Sequence, residues 1–370
     1  MAVPLAKAGA DTKTLIPKTP LPRTHIVWDK NSLRLVGPGG NYARMIRLRN
    51  GDILCGYGDG QGQWAKRSRD NGVTWDKGTL VVPKQPYGNF ANAELLQLHN
   101  GNLLFFSNLR PFKNQPQSPP AAFAIGVSRS IDNGATWSPV EFVYRAGTDG
   151  ANGCWEPAGL QLPSGEIQMF FADEGPYTQS DEQQISLMRS HDNGLHWSTP
   201  EIASFRGKHR DGMPIPVRLP NGDLAFAIED SGLSGTFKPV IIGTTAQDNW
   251  KSGAVSGESS QRWSALRTPL DAGVYAGAPY LRVLSNGETV LSFQQADDGN
   301  MDHSQMVVCV GNSQARDFTD ATRPFENFKT SAQLWNALFV KDKRTITAMT
   351  STKIGDIFGV WTMEGHLVRN

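Results

Sequence analysis

The chain has 370 residues, a formal net charge of +1 and 19% charged side chains. Near-neutral charge without a Lys/Arg run argues against nucleic acid or an anionic membrane surface as the main partner, and no apolar run reaches transmembrane length. Hydrophobic residues make up 39%, enough for a sizeable core, while 38 Gly, 23 Pro and 10 Trp imply many turns and few long helices.

Residues 1–23 read as a Pro/Thr-rich arm without a long apolar h-region, the look of a mature or trimmed start. The short strand "HIVWD" (His25–Asp29) follows. Then comes "RMIRLRNGDILCGYGD", which reads strand, Asn-Gly turn, strand. Asn-Gly between apolar alternations is a strong hairpin signal. The pattern returns as "ELLQLHNGNLLFFSNL", "AGLQLPSGEIQMFFAD", "IPVRLPNGDLAFAIED" and "YLRVLSNGETVLSFQQ", and a sixth time without the glycine as "ALFVKDKRTITAMTST". Out of phase with it runs a second repeat: "SRDNGVTW" (Ser68–Trp75), "SIDNGATW" (Ser130–Trp137) and "SHDNGLHW" (Ser190–Trp197). "TTAQDNW" (Thr244–Trp250) is a degenerate fourth copy and "GNSQARDFTD" (Gly311–Asp320) a decayed fifth. Asp70, Asp132 and Asp192 are 62 and 60 residues apart, the period of a repeated supersecondary unit.

Each unit thus supplies a hairpin, a third strand, an Asp-box turn and a fourth strand. Six such units predict an all-β, six-bladed β-propeller of four-stranded antiparallel blades, a single domain over residues 24–370. A lone blade cannot bury both faces, so the ring must close, with the His25–Asp29 strand as the outer strand of the last blade. A β-sandwich is disfavoured by the 60-residue period. The Asp boxes read as structural: Asp bonds its own turn, Gly takes a positive φ and Trp packs between blades. Cys55, Cys154 and Cys309 are odd in number, far apart and without zinc spacing, and are expected to be buried free thiols. No cluster has metal-ligand spacing and no Gly-rich phosphate loop occurs, so no metal or cofactor is expected.

In a propeller the first strand of each blade lines the central channel, and ligands bind at the mouth where those strands begin. Counting back from each turn glycine gives Arg44, then Asn92 and Glu94, Trp155 and Glu156, then His209, Arg210 and Asp211, Tyr275, and finally Trp335 and Asn336. Second strands return to the same mouth at Asp59, Asn108, Asp173, Glu174, Glu229, Asp230 and Gln294. Carboxylates, arginine and aromatics together suit sugar binding and glycosidic-bond chemistry, which needs an acid and a second carboxylate flanking one bond. Glu156 and Glu229 stand out as the catalytic candidates because both occur beside Trp or apolar residues at that mouth. Asp59, Asp173, Asp230 and Glu174 read equally well as solvated rim charges. His209 is a minor candidate base, and Arg44 a ligand-binding cation.

The Asp boxes and blade pattern resemble the sialidase-like superfamily over nearly the whole chain. Two motifs are closer to the exo-α-1,5-L-arabinanases of glycoside hydrolase family 93. Those enzymes carry Trp-Glu-Pro at the head of blade three, as Trp155-Glu156-Pro157 does here, and a Gly-Met-Pro-Val strand, an Asn-Gly turn and a carboxylate ending the returning strand, to which "GMPIPVRLPNGDLAFAIED" (Gly212–Asp230) with Glu229 is similar. The resemblance implies Glu156 as acid/base and Glu229 as nucleophile or its partner. True sialidases are a poorer match: only Arg44 matches one of their three arginines. In "QLWNALF" (Gln333–Phe339) Trp335 stands where both families place a tyrosine, which points to another sugar.

The expected function is therefore an exo-acting glycoside hydrolase on an oligosaccharide or polysaccharide. Alternatives are a polysaccharide lyase on a uronate, with His209 or a tyrosine as base and Arg44 or Arg210 neutralising the carboxylate, a sialidase, or a non-catalytic glycan-binding propeller. A polymeric glycan substrate implies secretion or periplasmic residence, and a monomer is expected.

Overall fold

The computed structural model describes residues 21–114 and 118–369. Most of the arm expected over residues 1–23 lies outside them. The chain forms six four-stranded antiparallel sheets. Blade one comprises Asn41–Arg47, Ile53–Asp59, Gly62–Ser68 and Thr79–Pro83. Blade two comprises Gly88–Gln97, Leu103–Pro111, Ala124–Ser130 and Glu141–Arg145, and blade three Cys154–Gln161, Ile167–Asp173, Gln184–Ser190 and Glu201–Ser204. Blade four follows with Asp211–Arg218, Leu224–Ser234, Thr236–Thr244 and Arg262–Ser264, and blade five with Tyr275–Val283, Thr289–Ala296, Gln305–Gly311 and Thr319–Thr322. In blade six Leu334–Val340, Thr345–Ile354 and Ile357–Arg369 are joined by Thr24–Pro38 from the other end of the chain. That N-terminal strand pairs antiparallel from Thr24↔Arg369 to Pro38↔Gly359 and closes the ring as expected.

The core lies between blades, and the second strands show why. In "LLFF" the alternation of a strand sends Leu103 and Phe105 to one face and Leu104 and Phe106 to the other. Leu103 and Phe105 pack with Leu54 of blade one, while Leu104 and Phe106 pack with Met169 and Phe171 of blade three. Phe170 of blade three then turns toward Phe226 and Ile228 of blade four. A strand buried on both faces needs a continuous apolar run. Each fully buried Phe contributes about 1.5–3 kcal/mol of apolar transfer, so ring closure is driven by these inter-blade layers.

The three complete Asp boxes sit at the ends of the third strands of blades one, two and three, at the end of the ring opposite the mouth. Asp70 accepts from the Thr74 N–H (2.8 Å) and the Ser68 hydroxyl (2.8 Å), and Asn71 and Gly72 both take positive φ. The box tryptophans lie across blade boundaries. Trp197 of blade three meets Phe106 of blade two edge-on at 6.1 Å, and Trp250 of blade four meets Phe170 of blade three at 5.8 Å. Arginines add a second tie: Arg129 of blade two donates to the Gly194 carbonyl of the next box (3.0 Å), and Arg189 of blade three to the Asn249 carbonyl (2.9 Å). The three cysteines are free and buried.

Candidate active site

Each first strand carries one extra residue just below the mouth. The register skips between Asn41 and Arg44, Ala91 and Glu94, Trp155 and Ala158, Gly212 and Ile215, Gly277 and Tyr280, and Leu334 and Ala337. Such a bulge re-aims one side chain. At the six bulges Tyr42, Asn92, Glu156, Met213, Ala278 and Trp335 all have φ between 48° and 56°. Positive φ is rare outside glycine, but here it recurs in every blade and belongs to the fold rather than to catalysis. Tyr42, Met213 and Ala278, from three different blades, pack together as a buried cluster on the channel axis.

Each bulge leaves a backbone N–H that needs an acceptor. In four blades a side chain of the preceding blade supplies it. Ala278 N–H donates to Glu229 Oε2 (2.7 Å), Trp335 N–H to Gln294 Oε1 (2.9 Å) and Tyr42 N–H to Ser351 Oγ (3.0 Å). Glu229, Gln294 and Ser351 hold one equivalent place on their second strands, opposite Gly212, Gly277 and Leu334. In blade three that place is Ala172, opposite Trp155, which has no acceptor to offer. Glu156 reaches across from the first strand instead, and Met213 N–H donates to its Oε2 at 3.2 Å. Two carboxylates from adjacent blades are thereby brought to one cleft.

Desolvation raises the proton affinity of both. Glu229 is pushed up to about 7, first by burial and then by the charge of Glu156; the Ala278 N–H and Arg210 pull it back in part. Glu156 is also raised by burial, opposed by Arg110 and by the Met213 N–H. A pair of like carboxyls in a poorly hydrated place shares protons unequally, and the one that keeps its proton can act as an acid near neutrality. Two glycines make room for Glu229. A Cβ on Gly277 would stand 2.6 Å from Glu229 Oε2, and one on Gly212 would stand 3.0 Å from Oε1.

The cleft above the pair has a volume of about 830 Å³ and is walled by Arg110, Trp155, Glu174, Gln183, Arg210 and Phe237, with the segment 178–181 at its rim. Arg210 is fixed by a salt bridge to Glu174, by Gln183 Oε1 (2.7 Å) and by the Asp181 carbonyl (3.0 Å). Asp211 N–H donates to the Gln183 carbonyl (3.0 Å), and Gln183 Nε2 donates to the Asp211 carbonyl (2.7 Å), so blade three holds the head of blade four. Trp155 is half-buried, edge-on to Phe123 at 4.9 Å, with the Arg110 guanidinium 5.0 Å over its ring. The arrangement offers three glutamates, one of them paired with Arg210, an aromatic wall and two guanidinium groups around a space of sugar size.

The BNR repeat-like domain model matches residues 48–233, half of the chain and the part that carries the three complete boxes. The chain belongs to the BNR repeat-like family. No curated protein matches it. Among solved structures, a protein of unknown function from Dyadobacter fermentans DSM 18053 superposes with a TM-score of 0.68 at 15% identity, covering 94% of this chain and 100% of its own. The α-L-arabinanase of Penicillium chrysogenum, complexed with arabinobiose, gives 0.59 at 16% identity over 95% of this chain and 99% of its own. The NanB sialidase of Streptococcus pneumoniae gives 0.59 at 11% identity over 91% and 70%. At these identities the likeness is one of fold.

Within this BNR repeat-like chain, Glu156, Glu229, Trp155, Glu174 and Arg210 line the cleft. Asn92 lies at the blade-two bulge, buried, and accepts from Arg110 (2.6 Å). Tyr275 stands behind Glu229; its hydroxyl accepts from Gln294 Nε2 (3.0 Å), and burial and the Glu229 charge raise its pKa. Trp335 is 36% exposed at the blade-six bulge, outside the cleft walls.

Four expectations need correction. Arg44 is not a mouth residue: it is 0% exposed, donates to the Trp335 carbonyl (3.2 Å), faces Glu94 at 3.5 Å and lies 3.9 Å over the Tyr42 ring. The bulge residue Tyr42 takes the mouth position and turns Arg44 into the channel. Asp211 is also 0% exposed, held by Arg262 Nη2 (2.6 Å) and the Ser204 hydroxyl (2.8 Å). Asp59 caps its own turn by accepting from the Gln61 N–H (2.8 Å), and His209 lies in the loop before blade four, next to Arg210 but not in the cleft wall. Counting back from the turn glycine overlooked the extra residue in each first strand. The prolines after Glu156, Met213 and Ala278 were its signal, since Pro within a central strand marks a bulge. Arg110 and Gln183 were also missed. Arg110 is two places beyond Asn108, and strand alternation would have put it on the same face. Gln183 lies at the end of a loop without periodicity.

Proposed function

We propose that the protein is an exo-acting glycoside hydrolase that cleaves an oligosaccharide or polysaccharide with Glu156 and Glu229. The observation that carries this reading is the pair itself: two carboxyls from adjacent blades, both desolvated, electrostatically coupled, each held by a backbone N–H of the next blade and open to a sugar-sized cleft. The likeness in fold to the arabinanase and the sialidase supports it. The packed Tyr42–Met213–Ala278 cluster closes the channel beneath, which favours a blind site that takes a chain end.

In the reaction one carboxyl gives its proton to the glycosidic oxygen as the bond to the anomeric carbon breaks. The other carboxylate either takes a proton from a water that attacks that carbon, or itself attacks to give a glycosyl ester that a water, deprotonated by the first carboxylate, then displaces. By both routes the water's oxygen ends on the anomeric carbon and the leaving sugar departs as the alcohol. The resemblance in sequence gives the acid role to Glu156. Burial raises the proton affinity of both carboxyls, and Arg110 opposes this at Glu156.

A panel of aryl glycosides and polysaccharides, with products identified, finds the substrate. On that substrate Glu156→Gln and Glu229→Gln each lower turnover at least about 10³-fold. The acid's variant regains rate on substrates with good leaving groups, and its partner's variant does not. Unchanged turnover in both variants would sink the reading.

A further inference from the structure

The arginines near the site differ in how they are compensated. Arg210 has Glu174, Arg206 has Asp230 at 3.1 Å, and Arg262 has Asp211 and Asp230. Arg110 has no carboxylate within ion-pair distance among the described residues. Its Nη2 donates to the neutral Asn92 side chain at 2.6 Å, and its Nε is buried without a hydrogen-bond partner. Its guanidinium carbon lies 5.0 Å from the centre of the Trp155 ring, so Asn92 and Trp155 hold it on two sides. It lines the cleft together with Glu156 and lies within its electrostatic reach. A partly buried, pre-oriented and unpaired guanidinium is an expensive feature unless a ligand completes it, because charged groups out of water demand a partner. Its planar fork fits a carboxylate through two parallel N–H···O bonds.

We propose that Arg110 binds the carboxylate of a hexuronic acid residue of the substrate, with Trp155 against the sugar's apolar face. The identity of the ligand as a sugar rests on the glycosidase reading above; the acidic class rests on Arg110 alone. Asn92 is the positioning residue that sets the guanidinium plane. Arg210, already saturated by Glu174 and Gln183, leaves the anion to Arg110.

The test is a tryptophan-fluorescence titration of the full chain, which Trp155 makes sensitive to this place. Glucuronic acid and galacturonic acid are compared with glucose, galactose and glucose 6-sulfate at low and high salt. The acids are expected to bind about 10- to 100-fold more tightly than the neutral sugars, the worth of charge-assisted hydrogen bonds, and to weaken as salt rises. Arg110→Met brings the acids down to the affinity of the neutral sugars measured with the same variant; Arg110→Lys keeps part of the preference. No saturation by either acid, equal binding of neutral sugars, or a preference that survives in Arg110→Met overturns the proposal. Binding of glucose 6-sulfate as tight as that of the acids also overturns it, since the site would then read charge and not the carboxylate. The wild-type comparison needs no variant to fold. Because the readout is binding and not turnover, this proposal and the hydrolase reading fail separately.

Discussion

Glutamine at position 229 isolates the electrostatics of the pair without any substrate. Burial, and then the charge of Glu156, push the Glu229 carboxyl up to about 7 in the folded chain, against an ordinary value of 4.5. Between these two pH values the unfolded chain has released its proton and the folded chain has not, so stability falls as pH rises through that window and levels off above it. At about 1.4 kcal/mol per pH unit the loss is about 3 kcal/mol. Glutamine is close to isosteric, cannot ionise and keeps an oxygen for the Ala278 N–H. Urea unfolding is therefore expected to show Glu229→Gln matching the wild type at pH 4.5 and exceeding it by up to about 3 kcal/mol at pH 8. With about 2.1 cal/mol/K of unfolding entropy per residue, that is a rise in Tm of roughly 4 °C. Glu156→Gln removes the like charge that contributes to the shift and narrows the window from above. An equal difference between Glu229→Gln and wild type at both pH values refutes the argument.

Two further outcomes follow from the packing around the pair. Arg262→Met leaves Asp211 and Asp230 facing each other with no exposure to water, and is expected to cost about 3–5 kcal/mol in chemical denaturation; adding Asp211→Asn and Asp230→Asn should recover most of it. A cost under about 1 kcal/mol for the single variant would show that Arg206 suffices for both. Gly277→Ala places a Cβ 2.6 Å from Glu229 Oε2 and against the Tyr275 hydroxyl, and so displaces the carboxylate. Turnover should fall more than about tenfold with the chain still cooperatively folded by near-ultraviolet circular dichroism; unchanged turnover would remove Glu229 from the reacting geometry.

The blades were legible in the sequence because their determinants are local. An Asn-Gly turn between alternating strands, and an Asp-box that bonds to itself through Ser68, Asp70 and Thr74, carry their own geometry. The period of about 60 residues then forces ring closure, and continuous runs such as "LLFF" announce strands buried on both faces. Glu156 could be placed near the mouth for the same reason: its distance from a recognisable turn is short.

The chemistry needed the ring. Glu156 and Glu229 lie 73 residues apart and come to one cleft because Ala172 leaves the Met213 N–H to be satisfied from another strand. Arg44 and Asp211 looked like ligand-binding residues by position, yet one bulge residue per strand and one guanidinium from Arg262 take both out of reach of a ligand. Alternation from Asn108 could have placed Arg110 at the mouth, but not shown that it has no carboxylate within ion-pair distance among the described residues, which depends on the blades around it. Local hydrogen-bond patterns and apolar alternation are written along the chain and fix the fold. Burial, charge balance and the aim of a side chain depend on what the neighbouring blade brings, and so only the closed propeller decided which carboxylates could become a pair.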